Sequence, residues 1–380
     1  MNIVNKEKNA LDILFICNSL DLGGAEKIMY EVVKNFKSYK IEIICLTERG
    51  YYSKQIENEE IKVSYCNLNK NIFDIFKLIK LYKIILIKKP KIIHSFLYHS
   101  DLLASILGKF AFTKIILWSV HHDCIRSDNT ILRNIQVKFL SIISNLIPNK
   151  IIYCSKESLS NHEKYGYSKR KSILIENGIC LNKFQPRKKN YHKIRKLLNI
   201  KSSTFLIGHI ARYHPIKGHN ILLSSLKLVK EKNKNFKCIM IGKNVDKKNI
   251  SLKNQIKENN LEEWVILFGE TKYSHKLMNS FDLNIISSIS ECSSLVVMET
   301  MASGIPNLAT NVGSLKKTIG KTGWIAKKES TKDLAEKINF IIKNKSQIKE
   351  KSFSARKRIM SKYSQIRMLK AYKLIYKLYL

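Results

Sequence analysis

The chain is 380 residues long, 44% hydrophobic and 26% charged, a composition that excludes a disordered or fibrous protein and supplies enough apolar residues for two domains. Its 68 Lys and Arg against 30 Asp and Glu give a formal net charge of +38, yet only ten of the 68 are Arg. A Lys excess beside abundant Asn and Ile points to biased base composition and an attraction to anionic membrane surfaces, not to the Arg-led contacts of nucleic-acid readers; a basic nucleic-acid-binding protein is the rival from another class, and no nucleic acid is expected as a partner.

The N-terminal stretch MNIVNKEKNALDILFICNSL runs straight into a strand-like segment. It has no long apolar core with a small-residue cleavage site, so no signal peptide is expected. No uncharged run approaches the about 20 residues that span a bilayer. The eight cysteines are scattered singly without CxxC or zinc spacing, which reads as free thiols in a reducing cytosol. The expected location is cytoplasmic, or peripheral on the inner face of the cytoplasmic membrane.

Short β-branched runs then alternate with helical stretches. DILFIC (12–17), IEIICL (41–46), KIIHSF (91–96), KIILWSV (114–120) and KIIYCS (150–155) form one strand series. Helices are expected from Ala25 to Phe36 and from Asp101 to Phe110. After the first strand, Gly23 and Gly24 open a helix; such a turn lets backbone amides approach an anion, or is simply a strand-to-helix connection. NIFDIFKLIKLYKIILIKKPK (71–91) is basic and amphipathic, suited to packing on the first sheet or to an anionic lipid surface.

CLNKFQPRKKN (180–190) is the linker candidate. A second series follows it: TFLIGHIA (204–211), FKCIMIG (236–242), WVILFG (264–269), LNIISS (283–288) and PNLATN (306–311). Strands alternating with helices argue for doubly wound parallel sheets, which bind ligands beyond their carboxyl ends. The reading is two Rossmann-like α/β domains facing each other across a cleft, residues 1–185 and 186–358. Residues 359–380 are an amphipathic helix with a stripe of Ile366, Leu369, Tyr372, Leu374, Ile375 and Leu378, expected to pack back on the first domain.

Two stretches of the second series carry chemistry. In GHIARYHPIKGHNILL, Arg212 and Lys217 stand five residues apart after a strand and before a helix, placed to converge on one anion. In SSISECSSLVVMETMASGIP, Glu291 and Glu299 flank the start of an apolar helix near Leu295–Ala302, with Ser293 or Ser294 as its cap. The apolar flanks of Glu299 argue that it is buried against a ligand or a partner group.

Together these residues resemble the retaining glycosyltransferases of the GT-B fold, family 4. LGGAE looks like the family's glycine loop, ARYHPIKGH like its Arg…Lys-Gly element, and ECSSLVVME like its Glu-x7-Glu element. ILIENGICLNKF (173–184) looks like the end of the first domain, and WVILFGE (264–270) like a strand bordering the base site. The resemblance implies that Arg212 and Lys217 hold the diphosphate of a nucleotide-sugar, that Glu299 binds ribose hydroxyls and that Glu291 binds hydroxyls of the transferred sugar. The amides of Ser293, Ser294 and Leu295 would contact phosphate or sugar, and those of Gly23 and Gly24 would close over the diphosphate. His121 matches the family's active-site histidine; His122 is its neighbouring alternative, and His99 and Asp101 are further acceptor-side candidates. Where the family often has Gly after the first glutamate, this chain has Cys292, so sugar contacts differ here. The implied reaction is metal- and cofactor-free transfer of a hexose or N-acetylhexosamine, from a UDP-sugar by preference, to a lipid-linked surface glycan such as capsule or O-antigen. A protein or small-molecule acceptor is the alternative.

Overall fold

A computed structural model describes residues 11–68, 74–123 and 131–380. The start of the N-terminal stretch, residues 71–73 of the basic stretch and Cys124 lie outside the described residues. Two compact units divide the chain: residues up to Gly178 together with Ile366–Leu380, and Ile179–Gln365.

The first unit is built on a seven-stranded parallel sheet. Its strands are β1 (Ile13–Cys17), β2 (Ile41–Cys45), β3 (Lys62–Tyr65), β4 (Ile92–Phe96), β5 (Ile115–Val120), β6 (Lys150–Tyr153) and β7 (Ser172–Leu174), in the order β3-β2-β1-β4-β5-β6-β7. β1 and β4 are buried along their whole length, as parallel strands covered by helices on both faces must be. The order reverses between β1 and β4, which pair in register from Ile13 with Ile92 to Cys17 with Phe96. A ligand crevice opens at such a reversal, beyond the carboxyl ends. The loops that meet there are the Gly23–Gly24 turn and the tight turn at Leu97, whose φ of +75° is unusual for a branched residue.

The second unit repeats the plan with β8 (Phe205–Ile210), β9 (Phe236–Ile241), β10 (Val265–Gly269), β11 (Leu283–Ile286), β12 (Asn307–Thr310) and β13 (Trp324–Ala326), ordered β10-β9-β8-β11-β12-β13. Every pair is parallel. The reversal falls between β8 and β11, so the loops carrying Arg212–Lys217 and Ser287–Ser294 meet at that point.

Two boundaries differ from the sequence reading. The division falls at 178/179, directly after the β7 segment and ahead of the basic linker, instead of at 185/186. The helix Ser346–Lys362 stays with the second unit, and only the final helix, Gln365–Tyr379, joins the first. That helix buries Met368, Tyr372, Ile375 and Tyr376, spaced i, i+4, i+7, i+8. Ile366, Leu374 and Leu378 from the expected stripe face outward. Tyr376 is the anchor: its hydroxyl lies 2.7 Å from Nδ1 of His94 on β4, and its ring meets the edge of Phe36 at 5.3 Å.

Candidate active site

The second unit gathers its charged candidates at the β8/β11 reversal. After β8 the chain exposes Arg212, then turns through a short 3-10 segment, Pro215–Lys217. Gly218 follows with φ +63°; a Cβ there would sit 2.1 Å from the Ser287 carbonyl oxygen. Only glycine fits this close approach. Ser287 fixes the same contact by donating its hydroxyl to the carbonyls of Lys217 (3.1 Å) and Gly218 (2.9 Å), and the Ile289 amide donates to Ile216 O at 2.8 Å. The two loops are therefore locked together.

Lys217 Nζ lies 2.5 Å from Glu291 Oε1, a pair formed across 74 residues of sequence. Ser288 Oγ donates to the same oxygen at 2.9 Å. Both charged groups are partly buried, where an ion pair is screened less than on an open surface. The backbone of Glu291 is seated on Gly313, at φ +48°, where a Cβ would fall 1.5 Å from the Glu291 carbonyl oxygen. Arg212, just after β8, is exposed.

The helix Leu295–Ala302 begins at this loop. Of the two serines expected to cap it, Ser294 occupies the N-cap, and its side chain makes no capping bond. The helix N-terminus carries its partial positive charge toward the loop of Cys292 and Ser293. Glu299 is 7% exposed, in the second turn among buried Met298, Thr300 and Met301. The arrangement offers two cations and a helix N-terminus to an anion, beside two carboxylates that accept hydrogen bonds from hydroxyls. Below it, His209 and His219 meet edge to face at 4.8 Å. Burial holds both neutral, at about 4 and about 3. β10 is the edge strand on the β9 side.

The first unit presents different chemistry. Gly23 is the N-cap of the helix Gly24–Asn35, and the Glu26 carboxylate folds back over it: a Cβ at Gly23 would meet Glu26 Oε2 at 2.1 Å. Ser19 Oγ donates to Glu26 Oε1 at 3.0 Å. A carboxylate thus already occupies the anion-favouring end of this helix, a role for Glu26 that resembles the reciprocal half of a capping box. Its signal in the sequence is a glutamate three residues after the N-cap.

His121 follows β5, half-buried, its ring stacked on Phe96 at 5.4 Å and 12°. Burial lowers its pKa to about 4. His122 is half-buried and offers its backbone carbonyl to Ser158 Oγ at 2.8 Å. His99 is held near Asn18, Nδ1 to Nδ2 3.3 Å, and Asn18 Oδ1 also accepts the Ser100 amide. Asp101 is not at the surface where the acceptor-side reading placed it. It is fully buried inside the helix Tyr98–Phe110, accepts from Ser95 Oγ at 2.6 Å, and burial pushes its pKa well above the usual carboxylate range. The helix starts three residues earlier than expected, which turns Asp101 inward. His94, not singled out by the sequence, is buried between Tyr376 Oη and Ser119 Oγ, the latter 2.8 Å from Nε2.

Comparison with known proteins matches both halves. Glycosyltransferase Family 4 covers residues 22–183, and Glycosyl transferases group 1 covers residues 190–360. The chain is 24% identical to the capsular polysaccharide biosynthesis glycosyltransferase CapM of Staphylococcus aureus, over 89% of this chain and 90% of that one. It is 23% identical to the UDP-Gal:alpha-D-GlcNAc-diphosphoundecaprenol alpha-1,3-galactosyltransferase of Escherichia coli, over 77% of each. HepE of Anabaena, solved with UDP and glucose, shares the fold with a TM-score of 0.86 at 19% identity, covering 96% of this chain and 99% of that one. Two Rossmann-like parallel-sheet units with family matches on both identify the chain as a GT-B glycosyltransferase of family 4.

Proposed function

We propose that this enzyme transfers a hexose or N-acetylhexosamine from a UDP-sugar to a growing, lipid-linked surface glycan, with retention of anomeric configuration and without a metal. The observation that carries the reading is the Lys217–Glu291–Ser288 cluster at the β8/β11 reversal, in the loops that hold Arg212 and lead into the Leu295–Ala302 helix. Breaking the bond between the sugar C1 and the donor phosphate oxygen sends an electron pair to the diphosphate. Lys217, Arg212 and the helix N-terminus stabilise that growing charge, the task a metal would otherwise perform. Glu299 holds the ribose hydroxyls and Glu291 the hydroxyls of the sugar.

The acceptor hydroxyl attacks C1 from the face the phosphate leaves, and its proton passes to the departing phosphate oxygen. No side chain then needs to act as nucleophile. Neutral His121, stacked on Phe96, is suited to orient a hydroxyl or the sugar by hydrogen bonding and not by charge. Support for the donor and acceptor comes from the relatives: HepE was solved with UDP, and the Escherichia coli enzyme is named for UDP-Gal and a diphosphoundecaprenol acceptor.

The test is product stereochemistry. The purified enzyme is supplied with α-configured UDP-sugars in excess chelator, and the new linkage is read by NMR coupling constants. An α-linked product supports the proposal; a β-linked product, or turnover that appears only on adding Mg²⁺, contradicts it.

A further inference from the structure

The first unit carries a surface that the sugar chemistry does not use. The helix Ile131–Leu146 buries Val137, Leu140 and Ile143 against the sheet. A surface helix ordinarily turns polar residues outward. This one turns out Ile131, Ile135, Phe139, Ile142 and Leu146, with Ile131 79% and Ile135 60% exposed. Their spacing of i, i+4, i+8, i+11 and i+15 makes a single stripe opposite the buried face. The stripe borders an open hollow of about 450 Å³ with Lys138 at its rim. The helix is apolar on two sides and covered on one.

The neighbouring helices continue the pattern. Tyr98–Phe110 packs between Ile131–Leu146 and Ile75–Lys88, so the three form one layer; Tyr82 Oη also donates to the Phe110 carbonyl at 3.4 Å. At the edge of the layer Phe110 and Phe112 are exposed, and Ile75–Lys88 turns out Ile75, Phe76 and Ile79. Leu81 and Ile85 of that helix are buried, so it both packs on the sheet and keeps a second apolar face. The three helices hold seven Lys and Arg against a single acid, Asp101, which is buried. Lys77 pairs with Asp74 and Lys88 with Glu42, whereas Lys80, Lys83, Lys109 and Lys138 lie exposed among the apolar side chains.

We propose that this helical layer docks on an anionic lipid bilayer, with the stripe of Ile131–Leu146 inserted at the headgroup boundary and the lysines on the lipid phosphates. A large exposed apolar patch marks an interaction surface, and cations interleaved with it match an anionic interface. A second copy of the chain would bring like charges together on the same face. Among the described residues no helix is long and apolar enough to cross a membrane, so contact would be made by this face. The inference deepens the lipid-linked-acceptor reading and places the layer where such an acceptor is anchored.

The experiment is co-sedimentation of the full chain with phosphatidylglycerol/phosphatidylcholine vesicles and with phosphatidylcholine vesicles. The expected result is binding to the anionic vesicles, weakened by salt, and a fall of about tenfold or more for the double variant Ile135→Glu, Phe139→Glu. Phe353→Glu, an equally exposed apolar position in the second unit, should leave vesicle binding unchanged. UDP-induced thermal stabilisation, measured in parallel, checks that the double variant is folded and tests the donor reading separately. The proposal is overturned by absent or lipid-insensitive vesicle binding, by unchanged binding of the double variant, or by a dimer in light scattering that the double variant dissolves.

Discussion

The carboxyl ends of the two sheets meet the same topological condition with opposite chemistry. At the β8/β11 reversal the side chains are charged and partly exposed: Arg212, Lys217 and Glu291 in loops locked by Ser287. In the first unit, His94 within β4 and His121 after β5 are held neutral by burial. His94 stands at about 3, His121 at about 4, and the Asp101 carboxyl is pushed upward. One fold thus surrounds one sheet with charged, partly exposed side chains and the other with buried, neutral ones. The difference lies in what surrounds the strand ends. Lys217 and Glu291 are partly exposed and close together, whereas His94 is ringed by Phe15, Phe96 and Tyr376 and Asp101 is fully buried on its helix.

The largest expected effect follows from the charged side. Lys217→Ala removes the cation proposed to hold the diphosphate and breaks the ion pair with Glu291, and transfer should fall by about 10²–10³-fold in kcat/KM. Steady-state kinetics check this, and near-normal turnover would dissolve the contrast between the two sheet ends.

A middle-sized effect tests the neutral histidines. His94, His121, His162, His209 and His219 all have folded pKa values of about 3 to 4, below the ordinary 6.5. The unfolded chain therefore takes up protons that the folded chain refuses, so stability is full above about pH 6.5 and is lost as pH falls toward 4. Thermal midpoints measured from pH 7.5 to pH 5 should decline steadily; a midpoint that rises on acidification contradicts the buried, neutral state.

The smallest effect sharpens the first unit. Asp101→Asn preserves an acceptor for Ser95 Oγ and places no new charge in the core, so transfer should remain within about twofold of the parent. A large loss of activity with an unchanged thermal midpoint would return Asp101 to the acceptor side.

Much of this was legible from the sequence because strand and helix periods are local. The five strands of each expected series appear where the β-branched runs lie. β3, KVSY, β7, SIL, and β13, WIA, were not distinguished because the first is half polar and the other two are three residues long. Glu299 was readable as buried, since its neighbours on the helix are apolar or small. The Lys217–Glu291 pair was readable only as two residues of one family pattern, because nothing local signals a contact across 74 positions. The return of the last helix was expected, but the folding back of Glu26 over Gly23 and the His94–Tyr376 tie depend on side-chain direction, which composition and periodicity do not encode. Asp101 was misplaced by a helix start three residues too late, enough to turn a side chain from the rim into the core.

The central claim is that the second unit's charged cluster binds a nucleoside diphosphate without a metal. Its most direct test is thermal unfolding of the parent protein and of Glu299→Ala with and without UDP, in excess chelator. The account predicts that saturating UDP raises the parent midpoint, since ligand binding to the folded state alone adds stability, and that the rise is largely lost in Glu299→Ala. No rise with UDP or any other nucleoside diphosphate, or an equal rise in the variant, would contradict it.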